Sequence, residues 1–224
     1  HKNGHPSEGG FGMIPAMLSV TALIAYFFGS VSTVNLCSNL IFHCNIAKEY
    51  PRNNEGITRF RRRYGVKGTI VVFGIEILKT VIPVLIGGLL MNIAGYAEVG
   101  YVFAMFCVVL GTVFPIIYEF KGETSLVAIA SAMIIIKPGV AIIAGGAFVV
   151  VYLVSRYVSL SAVAGAVLMW FLSIITLEYG ESRKLMFLVM LIVIIENRKS
   201  LVRIIKHKEE KFVLKKDVSY LFDE

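Results

Sequence analysis

Residues Arg52–Gly68 read RNNEGITRFRRRYGVKG, the first long polar break in a very apolar chain. Seven Lys and Arg residues lie between Lys48 and Lys67, and apolar segments flank the break on both sides. The chain has 224 residues, of which 57% are hydrophobic and 17% are charged, whereas soluble domains carry about a quarter charged residues. Apolar segments long enough to cross ~30 Å of hydrocarbon recur along the chain. The sequence therefore predicts an all-α, polytopic integral membrane bundle.

Seven apolar segments are candidate membrane spans, and two of them are short. They cover residues 14–36, 69–93, 101–118, 125–136, 141–155, 158–176 and 185–195. We predict short loops at Asn92–Gly100 and Glu178–Lys184 and a two-residue turn at Arg156-Tyr157. Small residues at Ala141, Gly145 and Gly146 are expected to let helices approach closely.

The placement of basic residues predicts the orientation. Seven lie in 48–67 and eight in 198–216, and Lys121 and Arg156 fall on the same side, whereas only Lys137, Arg183 and Lys184 fall on the other. Because cytoplasmic loops are enriched in Lys and Arg, we expect the N-terminus outside and the C-terminus inside. The predicted organisation is one transmembrane domain, 13–197, with a cytoplasmic basic loop, 37–68, and a charged cytoplasmic tail, 198–224. Residues 1–12 are expected to be an expression scar before Met13.

Two opposite charges lie within the span 69–93. Glu76 and Lys79 are three residues apart and so share one helix face. Charges inside a membrane are costly and normally pair with one another or line a cavity. Two interpretations stay open: a structural ion pair that fixes helix packing, and a pair that lines a functional site.

No motif predicts a metal or a cofactor. The chain has no GxGxxG, Walker, HExxH or GxSxG sequence, and its three cysteines have no metal-ligand spacing. We expect no metal, no cofactor and no nucleic-acid partner.

Several short motifs occur in a fixed order: Gly29-Ser30, the basic loop, Glu76-x-x-Lys79, Gly111–Pro115, Phe120-Lys121-Gly122, Tyr157–Leu160 and Arg198. From about Met13 to Lys211 this order resembles the bacterial acyl-phosphate:glycerol-3-phosphate acyltransferases, the PlsY family. The resemblance implies a seven-helix enzyme of the bacterial inner membrane that needs no metal or coenzyme. It implies transfer of a fatty acyl group from acyl phosphate to glycerol 3-phosphate, giving lysophosphatidic acid on the cytoplasmic side.

The resemblance also implies substrate-binding residues. The family's Ser-Gly-Asn-x-Gly-Ala-Thr-Asn motif corresponds to residues 52–59, where Arg52 and Arg59 replace the serine and the last asparagine. The implied binding residues are Asn54, Gly56, Thr58, Arg62, Lys121, Gly122 and Arg198, with Arg52 and Arg59 as added cations. Thr58 is expected to cap a helix that starts at this turn.

Other family positions are changed. Thr112 replaces the histidine of Gly-His-x-Phe-Pro, and the family's Phe-Lys-Gly-Gly-Lys-Gly reads Phe120–Ser125 without its second lysine. The tail motif His-Arg-x-Asn keeps only Arg198. Candidate catalytic residues are Thr112 and two carboxylates that desolvation could make proton acceptors, Glu119 and Glu123.

Three hypotheses follow from these changes. The first is an acyltransferase with degenerate motifs and weak activity, which acts on acyl phosphate and glycerol 3-phosphate in contact with membrane lipid. The second is a non-catalytic relative that binds anionic lipid, a phosphorylated ligand or a partner membrane protein, including a second copy of the chain. The third is a small transporter or channel component, suggested by the charges of Glu76 and Lys79 within a span.

Overall fold

Seven α-helices make up most of the described part of the chain, which in this computed structural model comprises residues 10–33, 36–37, 56–116, 122 and 124–205. No strand occurs in these ranges, so the predicted all-α fold is confirmed. The helices are α1 (Gly10–Ser30), α2 (Gly56–Asn92), α3 (Ala97–Val113), α4 (Leu126–Ile136), α5 (Pro138–Ser155), α6 (Val158–Thr176) and α7 (Gly180–Ile205).

Four helices contain segments long and apolar enough to cross a membrane: Met13–Ser30, Ile70–Asn92, Pro138–Ser155 and Val158–Thr176. The helices α3 and α4 are shorter apolar helices of 17 and 11 residues. Each predicted span overlaps one of these helices, because continuous apolar sequence that crosses lipid as a single segment satisfies its backbone hydrogen bonds as a helix.

Side-chain contacts divide the helix termini into two groups. Tyr26 of α1 contacts the turn after α3, and Ser125 before α4 contacts Glu196 of α7. We call this end of the bundle the basic end, because the arginine-rich first turns of α2 lie on this side. At the opposite end, Glu98 of α3 accepts hydrogen bonds from the backbone N–H groups of Glu178 and Tyr179, which precede α7. Lys137, between α4 and α5, lies 3.6 Å from the same carboxylate.

Glycine contacts bring α3 close to both α1 and α2. A Cβ atom on Gly29 or Gly111 would overlap the backbone of the facing helix, and the same holds for Gly100 against Gly87. These small residues allow the close approach that apolar helices need in a membrane. The prediction for Gly145 and Gly146 was wrong, because nothing lies within 4 Å of a Cβ built at either position.

Three predicted boundaries differ from the structure for local reasons. α1 ends at Ser30, whereas the predicted span continues to residue 36, and Lys79 on α2 binds the carbonyl group of Val31 directly after this end. α3 ends at Val113, since Pro115 disfavours helical backbone at the residue before it. α7 begins at Gly180, so residues 181–184 of the predicted loop are helical.

The basic segment is also partly helical. α2 starts at Gly56 and runs without a break to Asn92, so the helix expected within the basic loop begins two residues before Thr58 and continues into the apolar span. Thr58 lies inside the first turn rather than at the N-cap. The part of α2 that precedes the apolar segment Ile70–Asn92 adds about 20 Å of helix at 1.5 Å per residue.

Candidate active site at the basic end

The C-terminus of α3 is closely packed against α1 and against Gly122. Thr112 is 2% exposed. Its hydroxyl lies 2.9 Å from the carbonyl oxygen of Val108 and 3.4 Å from that of Gly29, and it can donate a hydrogen bond to either. A Cβ atom at Gly122 would overlap the carbonyl oxygens of Thr112 and Val113. Two predicted site residues, Thr112 and Gly122, are therefore direct neighbours, and only glycine fits at the second position.

Tyr26 on α1 fixes the turn that follows α3. Its hydroxyl donates to the carbonyl oxygen of Phe114 at 2.8 Å and accepts from the backbone N–H of Ile116 at 3.2 Å. The Phe114-Pro115 pair of the Gly111–Pro115 motif is thus held by a residue 88 positions earlier in the chain.

A carboxylate on α7 holds the start of α4. The Ser125 hydroxyl donates to Oε2 of Glu196 at 2.6 Å, and the Ser125 backbone N–H lies 3.3 Å from Oε1 and 3.5 Å from Oε2. Ser125 precedes α4 and its hydroxyl makes no capping bond to that helix. Glu196 lies beyond the apolar segment 185–195, and its burial raises the pKa of its carboxyl, against the opposing effect of the hydrogen bonds from Ser125.

The predicted pair Glu76 and Lys79 is buried, with 6% and 8% of each residue exposed. The ammonium nitrogen of Lys79 is 3.3 Å from Oε1 of Glu76 and donates to the carbonyl oxygen of Val31 at 2.9 Å. The Thr33 hydroxyl donates to Glu76 and lies 3.4 Å from the Lys79 nitrogen. These contacts all go to the segment that leaves α1, which favours the structural interpretation of the pair.

The other predicted site residues lie on α2, on α7 or outside the described residues. The backbone of the first turns of α2 carries Gly56, Thr58, Arg59 and Arg62. Arg198 is exposed on α7 and lies two residues after Glu196, about 200° around the helix at 100° per residue, so these two side chains point to opposite sides. Arg52, Asn54, Glu119, Lys121 and Glu123 fall outside the described residues.

Sequence reasoning missed Glu196, Ser125 and Tyr26. Glu196 ends an apolar segment immediately before Asn197-Arg198, and Ser125 ends the six-residue motif 120–125. Because Glu196 directly precedes one family motif and Ser125 ends another, their positions in the sequence could have indicated a role near the site. Within the described ranges, no group of three or more His, Cys, Asp or Glu side chains could hold a metal ion.

The fold and these contacts define an integral membrane protein built of helices, in which Thr112, Gly122 and Ser125 lie at one end. The family model for glycerol-3-phosphate acyltransferase matches residues 19–207, which is most of the chain. The protein therefore belongs to the glycerol-3-phosphate acyltransferase family, and the predicted resemblance is confirmed.

Named relatives agree with this family. The chain is 30% identical over 205 residues to the glycerol-3-phosphate acyltransferase of Shewanella woodyi, covering 91% of this chain and 97% of that protein. It is 27% identical over 201 residues to the enzyme of a Thermoanaerobacter species, covering 89% and 98% of the two chains. The fold is similar to the crystal structure of PlsY, an integral membrane glycerol 3-phosphate acyltransferase, in its glycerol 3-phosphate form. The TM-score is 0.73 at 20% identity, with 92% of this chain and 99% of that chain covered.

Proposed function

We propose that this protein transfers an acyl group from acyl phosphate to glycerol 3-phosphate at the basic end, on the cytoplasmic side of a bacterial inner membrane. The products are lysophosphatidic acid and inorganic phosphate. One observation carries the proposal. Gly122, from the Phe120-Lys121-Gly122 motif, packs directly on the α3 terminus that ends the Gly111–Pro115 motif. Two separate motifs of the family are thereby brought to one place.

The reaction requires binding and orientation more than a strong nucleophile. The glycerol hydroxyl oxygen attacks the acyl carbonyl carbon, forming an ester bond as the bond from that carbon to the phosphate oxygen breaks and the hydroxyl proton is lost. Because acyl phosphate is already activated, holding both substrates in a reactive geometry supplies much of the rate. Cations or N–H donors near the carbonyl oxygen would stabilise the charge that develops there.

The basic end offers groups suited to phosphate. The first N–H groups of α2 have no partner within the helix, and a helix N-terminus attracts anions. Arg59 and Arg62 lie in this segment, and guanidinium groups bind phosphate through two parallel hydrogen bonds. Lys121 directly precedes Gly122. Glu119 and Glu123 flank this lysine and remain the proposed proton acceptors.

Product analysis on purified protein tests the proposal. We expect lysophosphatidic acid when the wild-type protein in detergent receives palmitoyl phosphate and glycerol 3-phosphate. Arg62→Ala and Lys121→Ala should each reduce the rate at least about tenfold, the loss expected for one charge-assisted contact. Lys184→Ala is the matched control, because Lys184 is an exposed cation at the opposite end.

Ligand-induced stabilisation separates the first two hypotheses, an active acyltransferase and a non-catalytic relative. Glycerol 3-phosphate at a hundredfold excess over Kd should stabilise the fold by about 2–3 kcal/mol, and Arg62→Ala should remove this effect. Stabilisation without product would identify a non-catalytic relative that binds a phosphorylated ligand, a hypothesis favoured by the buried Thr112 in place of histidine. Neither stabilisation nor product, in folded protein, would refute the proposed function.

A further inference from the structure

The contact between Glu196 and Ser125 joins the last helix to the turn before α4. Both oxygens of the Glu196 carboxylate face Ser125, one at 2.6 Å from its hydroxyl and the other at 3.3 Å from its backbone nitrogen. Ser125 is 0% exposed, so these two donors cannot bind water instead. A carboxylate that accepts from both a buried hydroxyl and a buried N–H is held in one position.

Two described residues before α4, Gly122 and Ser125, are each held by a contact with another helix. At one end Gly122 packs against the carbonyl oxygens of Thr112 and Val113, where a Cβ atom would not fit. At the other end Glu196 binds Ser125, 71 positions earlier in the chain. Gly122 and Ser125, three residues apart, are therefore each held by a different helix.

The hydroxyl part of the contact is a feature of this chain rather than of the family motif. The family's Phe-Lys-Gly-Gly-Lys-Gly has glycine at the position of Ser125, which cannot offer a hydroxyl. This chain has replaced two of the three motif glycines, by Glu123 and Ser125. It has thus exchanged a glycine-rich turn for one that a carboxylate on another helix holds.

We propose that Glu196 is a positioning residue of the acyltransferase site. It holds Ser125, three residues after Gly122, and so helps to keep Gly122 against the α3 terminus, where a phosphorylated substrate is proposed to bind. The inference rests on the proposed function, and Glu196 itself need not touch either substrate.

Steady-state kinetics of Glu196→Ala, with a matched control, tests this role. Glu98→Ala is the control, because Glu98 likewise accepts backbone N–H groups from another helix segment, but at the opposite end. Both variants should lower the unfolding temperature. Glu196→Ala alone should raise KM for at least one phosphorylated substrate by about tenfold, the effect of one hydrogen bond to a charged group.

A double-mutant cycle and a conservative variant supply further readouts. Ser125→Ala keeps the backbone N–H and should raise KM less than Glu196→Ala does. The double variant should match Glu196→Ala, since both changes remove one interaction. Glu196→Gln keeps an acceptor for the Ser125 hydroxyl, so its KM should lie between those of the wild type and Glu196→Ala. If Glu196→Ala does not fold, Ser125→Ala against Glu98→Ala decides the matter.

The outcomes separate this inference from the proposed function. Wild-type turnover, with the same KM in the Glu196 and Ser125 variants as in Glu98→Ala, would overturn the inference alone. Additive effects in the double variant would also overturn it. Wild-type protein that neither turns over nor binds glycerol 3-phosphate would overturn both.

Discussion

Replacement of Lys79 by methionine tests whether the charge pair inside the bundle is structural. The change removes the 2.9 Å hydrogen bond to the carbonyl oxygen of Val31 and leaves Glu76 as a charge only 6% exposed. Removing one partner of a buried ion pair costs about 3–5 kcal/mol. For a protein of about 150–250 residues this corresponds to a fall of roughly 6–20 °C in Tm. Replacing both residues, as in Glu76→Leu with Lys79→Met, should cost less than either single change.

Thiol exposure on heating measures this effect. Cys37 and Cys107 are buried, so a thiol-reactive dye reports unfolding when Cys44 is replaced by serine. The matched control is Lys184→Met, which breaks a second i,i+3 pair with Glu181, at 2.9 Å but with both side chains at least 70% exposed. Exposed pairs contribute about 0–1 kcal/mol, so the control should shift Tm little. Equal shifts for Lys79→Met and Lys184→Met would refute the burial argument.

Three further expectations concern orientation, packing and rate. A cysteine placed at Arg61 should resist an impermeant thiol reagent in intact cells and one at Glu181 should react; labelling at Arg61 would reverse the predicted topology. Gly122→Ala should lower stability by about 1–3 kcal/mol through overpacking and reduce turnover, whereas Gly145→Ala, where a Cβ meets nothing within 4 Å, should do neither. Turnover should be well below that of a relative with histidine in Gly-His-x-Phe-Pro, because Thr112 offers no base; an equal kcat would show that the histidine is dispensable.

Local sequence predicted the helices and one buried contact well. Each of the seven described helices overlaps one of the predicted apolar segments. Such a segment must satisfy its own backbone hydrogen bonds in a membrane, and it does so as a helix. The break at Lys137-Pro138 was visible because proline starts a helix more readily than it continues one. The pair at Glu76 and Lys79 was predicted from helical spacing alone, and both residues are buried and in contact.

The features that sequence did not predict depend on partners far away in the chain. The carbonyl group of Val31, directly after α1, binds Lys79, 48 positions later in the chain, and no local pattern in 30–36 contains that information. Gly145 and Gly111 look alike in sequence, but only Gly111 faces another helix backbone, because the rotation of each helix decides which side meets a neighbour. Glu196 directly follows an apolar segment, and nothing near it in the sequence indicates that its partner is Ser125, 71 positions earlier.

The glycine contacts among α1, α2 and α3 also bear on how the chain is made. Gly29, Gly87, Gly100 and Gly111 all lie in the first half of the sequence, so these three helices can pack together while the ribosome is still translating the rest. The contact between Ser125 and Glu196, by contrast, can form only after the last helix has been synthesised. We therefore expect a nascent chain that stops before α7 to be inserted and partly packed but enzymatically silent. Under the proposed function, the chain would then become active only after α7 has been synthesised and Glu196 has bound Ser125.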